Sequence, residues 1–506
     1  MQESISATGM TPFKKLVLFL SAFTLVRLLV AGSFELALDD GYYWLWSQHL
    51  SLSYFDHPPM VALVMAATTL LGESEIFVRL GAVAGAVIAT FLLYRLTARL
   101  YKNEEAGWHA AWMLNLSLIF CAGALEVTPD TPLVPFYLLA MILFHDAAHA
   151  TDGGWGKWLA AGAAIGLAML SKYTAVFFFP GAVLYLLLSP GKRGWLLRPQ
   201  PWVAAAVAAL VFTPVIIWNM QHGWISISFQ AKHGLEQAQG NPLGRFLEYA
   251  GFQMALYSIG IFFFLVAAAA DSVKTSFTRF AQGASDAAID ANRFLFSFWI
   301  PTLLFFTLNS FRATVEGNWP ILGFLPLFAL AGGLASGWLE NPRTQKPLKA
   351  SAAAALLLIA FFHIQIVDPV IPHPKRFEIS RRIYGWKKLG NEVDDERKTL
   401  SAKFIVADRH QTAGLLTYYT APHLPAYLIG GYNRLRYTFL PPVDSYTGGD
   451  ALYVVEEGRD NTAAMQKVFE RIEMARTVVI ERKGELIRRF VIYRCYNYRG
   501  GLSDIN

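Results

Sequence analysis

Long apolar stretches alternate with short polar ones along the chain up to about residue 370. An α-helix needs about 20 predominantly apolar residues to cross the hydrocarbon core of a bilayer. The pattern predicts eleven spanning helices, at 15–36, 76–97, 106–124, 130–149, 157–171, 173–189, 201–219, 250–270, 294–309, 319–339 and 349–367. A further apolar segment, 59–72, is too short to cross, so we expect it to lie in the membrane interface or to re-enter.

The pattern changes after about residue 368, where charged residues become more frequent. Runs rich in β-branched and aromatic residues predict strands at 403–408, 452–456, 476–481 and 489–496, and helical patterns occupy 411–421 and 460–474. The chain is therefore expected to consist of an all-α, polytopic membrane domain over 1–370 and a soluble α/β domain over 371–506.

Composition agrees with a membrane protein. Only 16% of the 506 residues are charged and 54% are hydrophobic, whereas soluble domains carry about 25% charged residues. The net charge of +6 does not predict nucleic-acid binding, because the basic residues lie at the ends of apolar segments. The two cysteines, Cys121 in an apolar segment and Cys495 near the end of the chain, are not expected to form a disulfide.

The distribution of lysine and arginine predicts the orientation. If the N-terminus is cytoplasmic, fifteen basic residues lie on the cytoplasmic side and five on the other before the tail, which follows the positive-inside rule. The five are Arg79, Lys172, Lys232, Arg245 and Arg312. We expect a multi-pass protein of the cytoplasmic (inner) membrane, with the tail and the polar motifs described below on the outer, periplasmic face.

The first motif follows the first apolar stretch and reads Asp39-Asp40-Gly41-Tyr42-Tyr43-Trp44. Carboxylates next to the hydrocarbon are costly unless they are solvated, paired or bound to a metal. One of Asp39 and Asp40 could act as a general base on a hydroxyl group or help to place a substrate. The alternative is a pair of acidic residues that stabilises a helix N-terminus at the membrane surface.

The second motif is Tyr54-Phe55-Asp56-His57-Pro58-Pro59. The two prolines stiffen the backbone and direct the helix that follows. Asp56 is the favoured cation ligand of this motif, because two adjacent side chains do not easily face one ion. His57 is interpreted as a hydrogen-bonded surface residue.

Two shorter motifs add one charge each to the same face. Thr128-Pro129-Asp130 has the residue types of an ordinary helix start, so Asp130 only adds a carboxylate. Lys172 joins two apolar stretches against the charge bias, which predicts an anionic partner such as a lipid-linked phosphate. A lysine that snorkels to the interface is the alternative.

The remaining candidates lie in outer loops and in the tail. His222 and His233 are candidate metal ligands, and Arg245 and Arg312 are candidate phosphate ligands. Glu316 and Asn318 could bind sugar hydroxyls, although an Arg312–Glu316 ion pair accounts equally well for two of these residues. In the tail, Asp408-Arg409-His410 is more simply explained as a charge cluster at the end of a strand.

Together these motifs resemble the GT-C glycosyltransferases of the protein mannosyltransferase and aminoarabinose lipid A transferase type (families 39 and 83). The matching pieces are the two motifs at 39–44 and 54–59, Thr128-Pro129-Asp130, Lys172 and Glu316-Gly317-Asn318-Trp319-Pro320. The resemblance covers essentially the whole membrane region. Two departures are that Asp40 stands where the family usually has glutamate, and that His57 replaces a lysine found in some relatives.

The resemblance implies a role for each matching residue. Asp39 and Asp130 take the positions of the catalytic aspartates, and Lys172 that of the lysine that contacts the donor phosphate, with Arg312 and Arg245 as further phosphate ligands. Asp56 and His233, with His222 competing, would bind a divalent cation such as Mg, Mn or Zn. The residues implied to bind substrate are Asp40, Tyr43, Tyr54, Glu316 and Asn318.

The predicted activity is transfer of a sugar from a polyprenyl-phosphate donor to an acceptor at the outer face, with a lipid or glycolipid of the lipid A type as the favoured acceptor. The alternatives are a protein O-mannosyltransferase and a flippase or transporter of polyprenyl-linked lipids. A transporter needs polar residues deep inside its spans, whereas this chain concentrates them at one face.

Overall fold

The computed structural model describes residues 9–236, 239–278, 287–371, 380–429 and 440–505. The membrane part contains helices α1 (Pro12–Ala31), α2 (Leu38–Gln48), α3 (Met60–Thr69), α4 (Glu75–Tyr101), α5 (Glu104–Asn115), α6 (Leu118–Gly123), α7 (Asp130–Ala148), α8 (Trp155–Ser171), α9 (Phe178–Leu188), α10 (Pro199–Gln221), α11 (Ile225–Leu235), α12 (Pro242–Leu256), α13 (Ile259–Thr278), α14 (Ala287–Ser310), α15 (Ile321–Glu340) and α16 (Pro342–Val367).

Seven of the described helices are long and apolar enough to cross a membrane: α4, α7, α10, α13, α14, α15 and α16. Each overlaps one of the eleven predicted spans. The other four predicted spans are also helical: 15–36 contains α1, 106–124 divides into α5 and α6, 157–171 is α8, and 173–189 is a 3₁₀ turn followed by α9. The short segment 59–72 contains the ten-residue helix α3, in agreement with its predicted failure to cross.

One predicted span has the wrong boundary. The helix is interrupted between α12 and α13, inside the predicted span 250–270, where Ser258 adopts a left-handed backbone with φ of 58°. The Ser258 hydroxyl donates a hydrogen bond to the carbonyl oxygen of Leu116 at 2.8 Å. A tertiary contact of this kind is invisible in a hydropathy pattern.

The C-terminal domain contains helices α17 (Ser380–Ile383), α18 (Trp386–Leu400), α19 (His410–Tyr419) and α20 (Thr462–Val468) and strands β1 (Phe404–Ala407), β2 (Ala426–Leu428), β3 (Ala451–Glu456), β4 (Phe469–Arg482) and β5 (Glu485–Tyr498). The strand order is β2-β1-β3-β5-β4. The first three strands run parallel, and β5 lies antiparallel to both β3 and β4. The α/β class of this domain is therefore confirmed.

The predicted helix 460–474 is wrong in its second half. Helix α20 ends at Val468, and the chain continues directly into β4 from Phe469. Strand β4 pairs with β5 through a hairpin whose two turn residues, Lys483 and Gly484, both have positive φ angles, as the favoured two-residue hairpin turns require. The long-range pairing with β5 overrides the local helical pattern.

Helix α2 connects the two parts of the molecule. Its aromatic residues Trp44 and Trp46 share one hydrophobic core with Leu415 and Leu416 of α19. The two helices approach so closely that a Cβ atom on Gly414 would lie 2.6 Å from the backbone carbonyl carbon of Gly41. The C-terminal domain is therefore packed directly onto the helix that begins with the Asp39-Asp40 motif.

Candidate active site

Asp39 and Asp40, at the start of α2, have different surroundings. Asp40 is completely buried, and its Oδ2 accepts hydrogen bonds from Arg79 Nε at 3.0 Å and from the Ala37 backbone N–H at 3.1 Å. Its Oδ1 accepts from the Val127 N–H at 3.1 Å. These three protein partners give Asp40 a structural role, and it does not line the cleft. Asp39, by contrast, lines an open cleft.

Tyr54 also has a structural role. Its ring stacks on Trp46 with centroids 4.1 Å apart, and its hydroxyl donates to the Trp46 carbonyl oxygen at 3.0 Å and accepts from the Ser51 N–H at 3.1 Å. Only 1% of the residue is exposed. Tyr54 therefore does not line the cleft, and it shapes the turn that carries Asp56.

A polar cleft with an open volume of about 550 Å³ lies where α2, the 54–59 turn, α11 and α19 meet. Its lining residues are Asp39, Tyr42, Tyr43, Asp56, His57, Phe229, Gln230, His233, Trp319, His410 and Gln411. Asp56 accepts a hydrogen bond from the Tyr42 hydroxyl at 2.7 Å, which fixes the direction of its carboxylate. The cleft therefore brings together the candidate base Asp39 and the candidate metal ligands Asp56 and His233.

Helix α11 positions His233. Gln230, one turn earlier on the same helix, donates a hydrogen bond to the backbone carbonyl oxygen of Asp56. The His233 ring stacks on Phe229 with centroids 5.5 Å apart. His222, the competing candidate, does not line the cleft: its ring stacks on Trp218, and its Nδ1 bonds the Trp218 carbonyl oxygen at 2.7 Å. Of the two histidines, only His233 lines the cleft together with Asp56.

A larger and mostly apolar groove opens beside the polar cleft. Its open volume is about 1150 Å³, and it is lined by His57, Lys172, Tyr173, Thr174, Val176, Phe177, Ile227, Gln230, Ala231, Gly234, Phe305, Phe306 and Trp319. His57, Gln230 and Trp319 line both spaces and thus form their common wall. His57, which sequence reasoning dismissed, lies at the junction of the two.

Lys172 has an anionic partner, as predicted, and that partner is Asp130. The Lys172 ammonium lies 2.9 Å from both carboxylate oxygens of Asp130, and Asn318 donates a third hydrogen bond to Asp130 Oδ2 at 2.5 Å. The side chains of Lys172 and Asp130 are only 6% and 12% exposed. This group links the start of α7, the end of α8 and the loop before α15, and presents Lys172 to the apolar groove.

The other predicted residues lie outside both spaces. Arg312 and Glu316 are exposed and line neither the cleft nor the groove. Arg245 donates to the backbone carbonyl oxygens of Gly240 at 2.9 Å and Phe311 at 2.6 Å, which ties two loops together. The structure therefore gathers Lys172, but not these two arginines, beside the groove.

The C-terminal domain adds residues that sequence reasoning missed. His410 and Gln411, at the start of α19, line the polar cleft, and the His410 ring packs edge-on against Tyr42 with centroids 4.6 Å apart. Arg382 of α17 lies 3.3 Å from Asp39 Oδ2 and 3.5 Å from Glu126 Oε1. Among these residues, only His410 was singled out from the sequence, as part of the Asp408-Arg409-His410 charge cluster, and that cluster says nothing about proximity to α2.

Glu126 is the second carboxylate beside Arg382. Burial, followed by the nearby negative charge of Asp39, raises the pKa of Glu126 to about 7, although Arg382 acts in the opposite direction. The charge of Glu126, which lies near the cleft residue Asp39, therefore changes near neutral pH.

Comparison with known proteins indicates which kind of protein has this arrangement. Residues 56–218 match the family model described as dolichyl-phosphate-mannose-protein mannosyltransferase. A lipid A galacturonosyltransferase, RgtD from Rhizobium johnstonii, is 27% identical over 418 residues, which cover 81% of this chain and 83% of the relative. The crystal structure of ArnT from Cupriavidus metallidurans in the apo state superposes with a TM-score of 0.63 at 14% identity and covers 95% of this chain and 98% of ArnT. At this identity the superposition establishes the fold.

The chain is a membrane glycosyltransferase of the GT-C type. The resemblance predicted from the motifs is thus confirmed. A second ArnT structure, bound to undecaprenyl phosphate, superposes with a TM-score of 0.61 at 15% identity and covers 96% of this chain and 98% of that one. The family model includes Asp56, Asp130 and Lys172 of the glycosyltransferase but ends well before the C-terminal domain.

The position of Arg382 in the glycosyltransferase leads to a pH prediction. Replacing Arg382 by glutamine removes a positive charge next to Asp39 and Glu126, so protonation of these carboxylates becomes easier and their pKa values rise. We expect the acid limb of the pH–rate profile to move to higher pH by up to about 0.7 unit, because such a partly exposed pair is worth at most about 1 kcal/mol.

The matched control is Arg381→Gln, since this neighbour lies on the same helix but pairs with Glu456 inside the C-terminal domain. Initial rates measured between pH 5 and 9 should show a displaced acid limb for Arg382→Gln alone. Identical profiles for the two variants would show that Arg382 does not act on the cleft.

Proposed function

We propose that this glycosyltransferase moves a sugar from a polyprenyl-phosphate donor to a glycolipid acceptor of the lipid A type. The proposal rests on the position of a large apolar groove directly beside a carboxylate-lined polar cleft. His57 lies in the wall that the two spaces share, and Lys172 lines the groove. A polyprenyl chain fits the apolar groove, and a sugar and an acceptor hydroxyl fit the polar cleft. The nature of the acceptor rests on the similarity to a lipid A galacturonosyltransferase.

The reaction is a displacement at the anomeric carbon. The acceptor hydroxyl oxygen forms a bond to C1 of the sugar, the bond between C1 and the phosphate oxygen breaks, and the polyprenyl phosphate leaves with the bonding electrons. Asp39 accepts the proton of the attacking hydroxyl. Attack from the side opposite to the phosphate inverts the configuration at C1.

Lys172 stabilises the leaving phosphate. The negative charge that develops on the phosphate oxygen is the main electrostatic demand of the step, and a preorganised ammonium group meets it without reorganisation. Asp130 accepts hydrogen bonds from that ammonium group and holds it in place, and Asn318 in turn donates to Asp130.

Asp56 and His233 are the residues that would hold a divalent cation in the cleft. One carboxylate and one imidazole are a donor pair suited to Zn²⁺, and Mg²⁺ or Mn²⁺ would favour more oxygen ligands. Such a cation would neutralise part of the phosphate charge when bound.

The orientation in the membrane is inferred from the distribution of lysine and arginine along the chain. The excess of basic residues on the side away from the cleft supports an inner-membrane protein whose cleft and C-terminal domain face the periplasm. Cysteines introduced singly at exposed Asp395 and exposed Lys157, in a background without Cys121 and Cys495, should react with a membrane-impermeant maleimide in intact spheroplasts only at position 395.

The activity is tested with the purified full-length protein in liposomes. We offer undecaprenyl phosphate-linked galacturonic acid, aminoarabinose or mannose together with lipid A, and identify the product by its mass. A lipid A species that gains one sugar residue, with galacturonic acid preferred in view of the relative, supports the proposal.

The same assay separates the alternatives. Transfer from the mannose donor to an acceptor peptide, with none to lipid A, would identify a protein O-mannosyltransferase. Movement of the labelled donor to the opposite leaflet without any new glycosidic bond would identify a flippase. Either result would overturn the proposed acceptor or the proposed reaction.

A further inference from the structure

A second group of metal-ligating side chains lies at the end of α7 away from Asp130. His145 and His149 are four residues apart near the end of this helix, and Asp290 lies in the first turn of α14. One ligand atom from each of these three residues lies within 4.8 Å of the other two. At 1.5 Å per residue, the helix separates this group from Asp130 by more than about 20 Å, so it is not part of the cleft.

The contact between His149 and Asp290 implies a bound cation or proton. The Nδ1 atom of His149 lies 2.8 Å from the carbonyl oxygen of His145, and because a carbonyl oxygen only accepts, Nδ1 carries a hydrogen atom. In the neutral ring the lone pair is then on Nε2, which lies 2.9 Å from Asp290 Oδ2. A lone pair and a carboxylate oxygen at this distance repel each other unless a proton or a metal ion lies between them.

The surroundings of Asp290 resemble the outer hydrogen bonds of a metal-ligating carboxylate. The Tyr185 hydroxyl donates to Oδ2 at 2.9 Å, and the Ser189 hydroxyl donates to Oδ1 at 3.2 Å. These donors orient the carboxylate while the side facing His149 remains available for an ion. The hydrogen bond from His149 Nδ1 to a backbone carbonyl orients the imidazole in the same way.

His145 supplies the third ligand. Its ring lies 4.1 Å from that of His149 between centroids. Its Nδ1 is buried and lies 3.7 Å from Asp146 Oδ1, which is longer than a normal hydrogen bond. The other oxygen of that carboxylate, Oδ2, lies 2.5 Å from Arg99. One ring nitrogen of His145 therefore lies close enough to ligand atoms of His149 and Asp290 to share an ion with them.

We propose that His145, His149 and Asp290 bind a divalent transition-metal ion, with zinc as the best match. Two histidines at i and i+4 on one helix present their nitrogens to the same ion, as in zinc-binding helices. Two imidazoles and one carboxylate form a common zinc donor set, and a water molecule completes the tetrahedron. The side chains of His145, His149 and Asp290 are 15%, 35% and 25% exposed, so an ion can enter.

The consequence is a clamp between helices. The ion ties the end of α7 to the start of α14, and Tyr185 adds α9 to the same point. Helix α7 carries the carboxylate of Asp130 at its other end, so the clamp sets the axial position of that helix. The site is independent of the proposed transfer reaction.

The experiment uses full-length protein in detergent that carries Asp56→Asn and His233→Ala, so that the cleft does not compete for the ion. After chelation and dialysis, the protein is titrated with Zn²⁺ by calorimetry and with Co²⁺ by visible absorption. We expect one equivalent to bind, tetrahedral Co²⁺ bands to appear, and the thermal unfolding transition to rise with added Zn²⁺.

Three further variants decide the assignment. His149→Gln and Asp290→Asn, which retain hydrogen-bonding capacity, should each lose the bound equivalent and the thermal shift, whereas the control His423→Ala should keep both. No stoichiometric binding by the parent protein would overturn the proposal and leave a protonated His149 paired with Asp290. Binding that persists in His149→Gln and Asp290→Asn would place the ion elsewhere and overturn it as well.

Discussion

Replacing Asp39 by asparagine is expected to reduce sugar transfer at least a hundredfold. The substitution keeps the shape of the side chain but removes the proton acceptor, and general-base catalysis contributes about 10²- to 10⁴-fold. The fold should survive, because the lost Asp39–Arg382 pair is about one-third exposed on one side and half exposed on the other, and exposed pairs contribute at most about 1 kcal/mol.

This effect is measured as the rate of product formation in liposomes at saturating donor and acceptor. Asp395→Asn, which changes an exposed carboxylate on α18, serves as the control and should retain the wild-type rate. A rate for Asp39→Asn within a few-fold of the control would mean that another group accepts the proton.

Replacing Lys172 by methionine should have the second large effect, and it should act on both binding and rate. The ammonium group is the only lysine or arginine charge among the described residues that line the apolar groove. Loss of one preorganised charge that faces a developing anion costs about 10²- to 10³-fold in rate. The variant should also bind undecaprenyl phosphate more weakly, because that product carries the same phosphate.

The same change leaves the buried carboxylate of Asp130 without its cation, which destabilises a folded protein by about 3 kcal/mol or more. The double variant Lys172→Met/Asp130→Asn removes both charges and should recover stability without recovering transfer. Lys157→Met, at the exposed start of the same helix, is the control. Unchanged binding of undecaprenyl phosphate by the folded double variant would show that Lys172 does not contact the phosphate.

The comparison of Asp39 with Asp40 shows where sequence reasoning ends. Both residues occupy the same motif, and nothing in their spacing separates a catalytic carboxylate from a structural one. The helix that begins at Leu38 turns one toward the cleft and the other toward Arg79, a residue 39 positions away. Direction along a helix changes by about 100° per residue, so adjacent side chains necessarily meet different surroundings.

The histidines show the same limit in another form. His222 and His233 were equivalent candidates because both lie in an outer loop region, but His222 ends α10 and packs on Trp218, whereas His233 lies on α11 beside the cleft. His145 and His149 attracted no attention because they lie inside a predicted span, although their i, i+4 spacing was visible. Only the approach of Asp290 turns that spacing into a candidate site.

The amino-acid sequence by itself determined the membrane class, the location of most helices, the α/β character of the C-terminal domain and the resemblance to GT-C glycosyltransferases. These properties follow from local hydropathy, from strand and turn propensities and from motifs of contiguous residues, all of which are present in a linear chain. The tertiary structure decided which carboxylates face the cleft, which anion Lys172 meets, and that Arg382, His410 and Gln411 approach α2 from more than 300 residues away. Such contacts depend on how helices and strands pack against one another, because the close approach of Gly41 and Gly414 is a property of two surfaces and not of either segment alone.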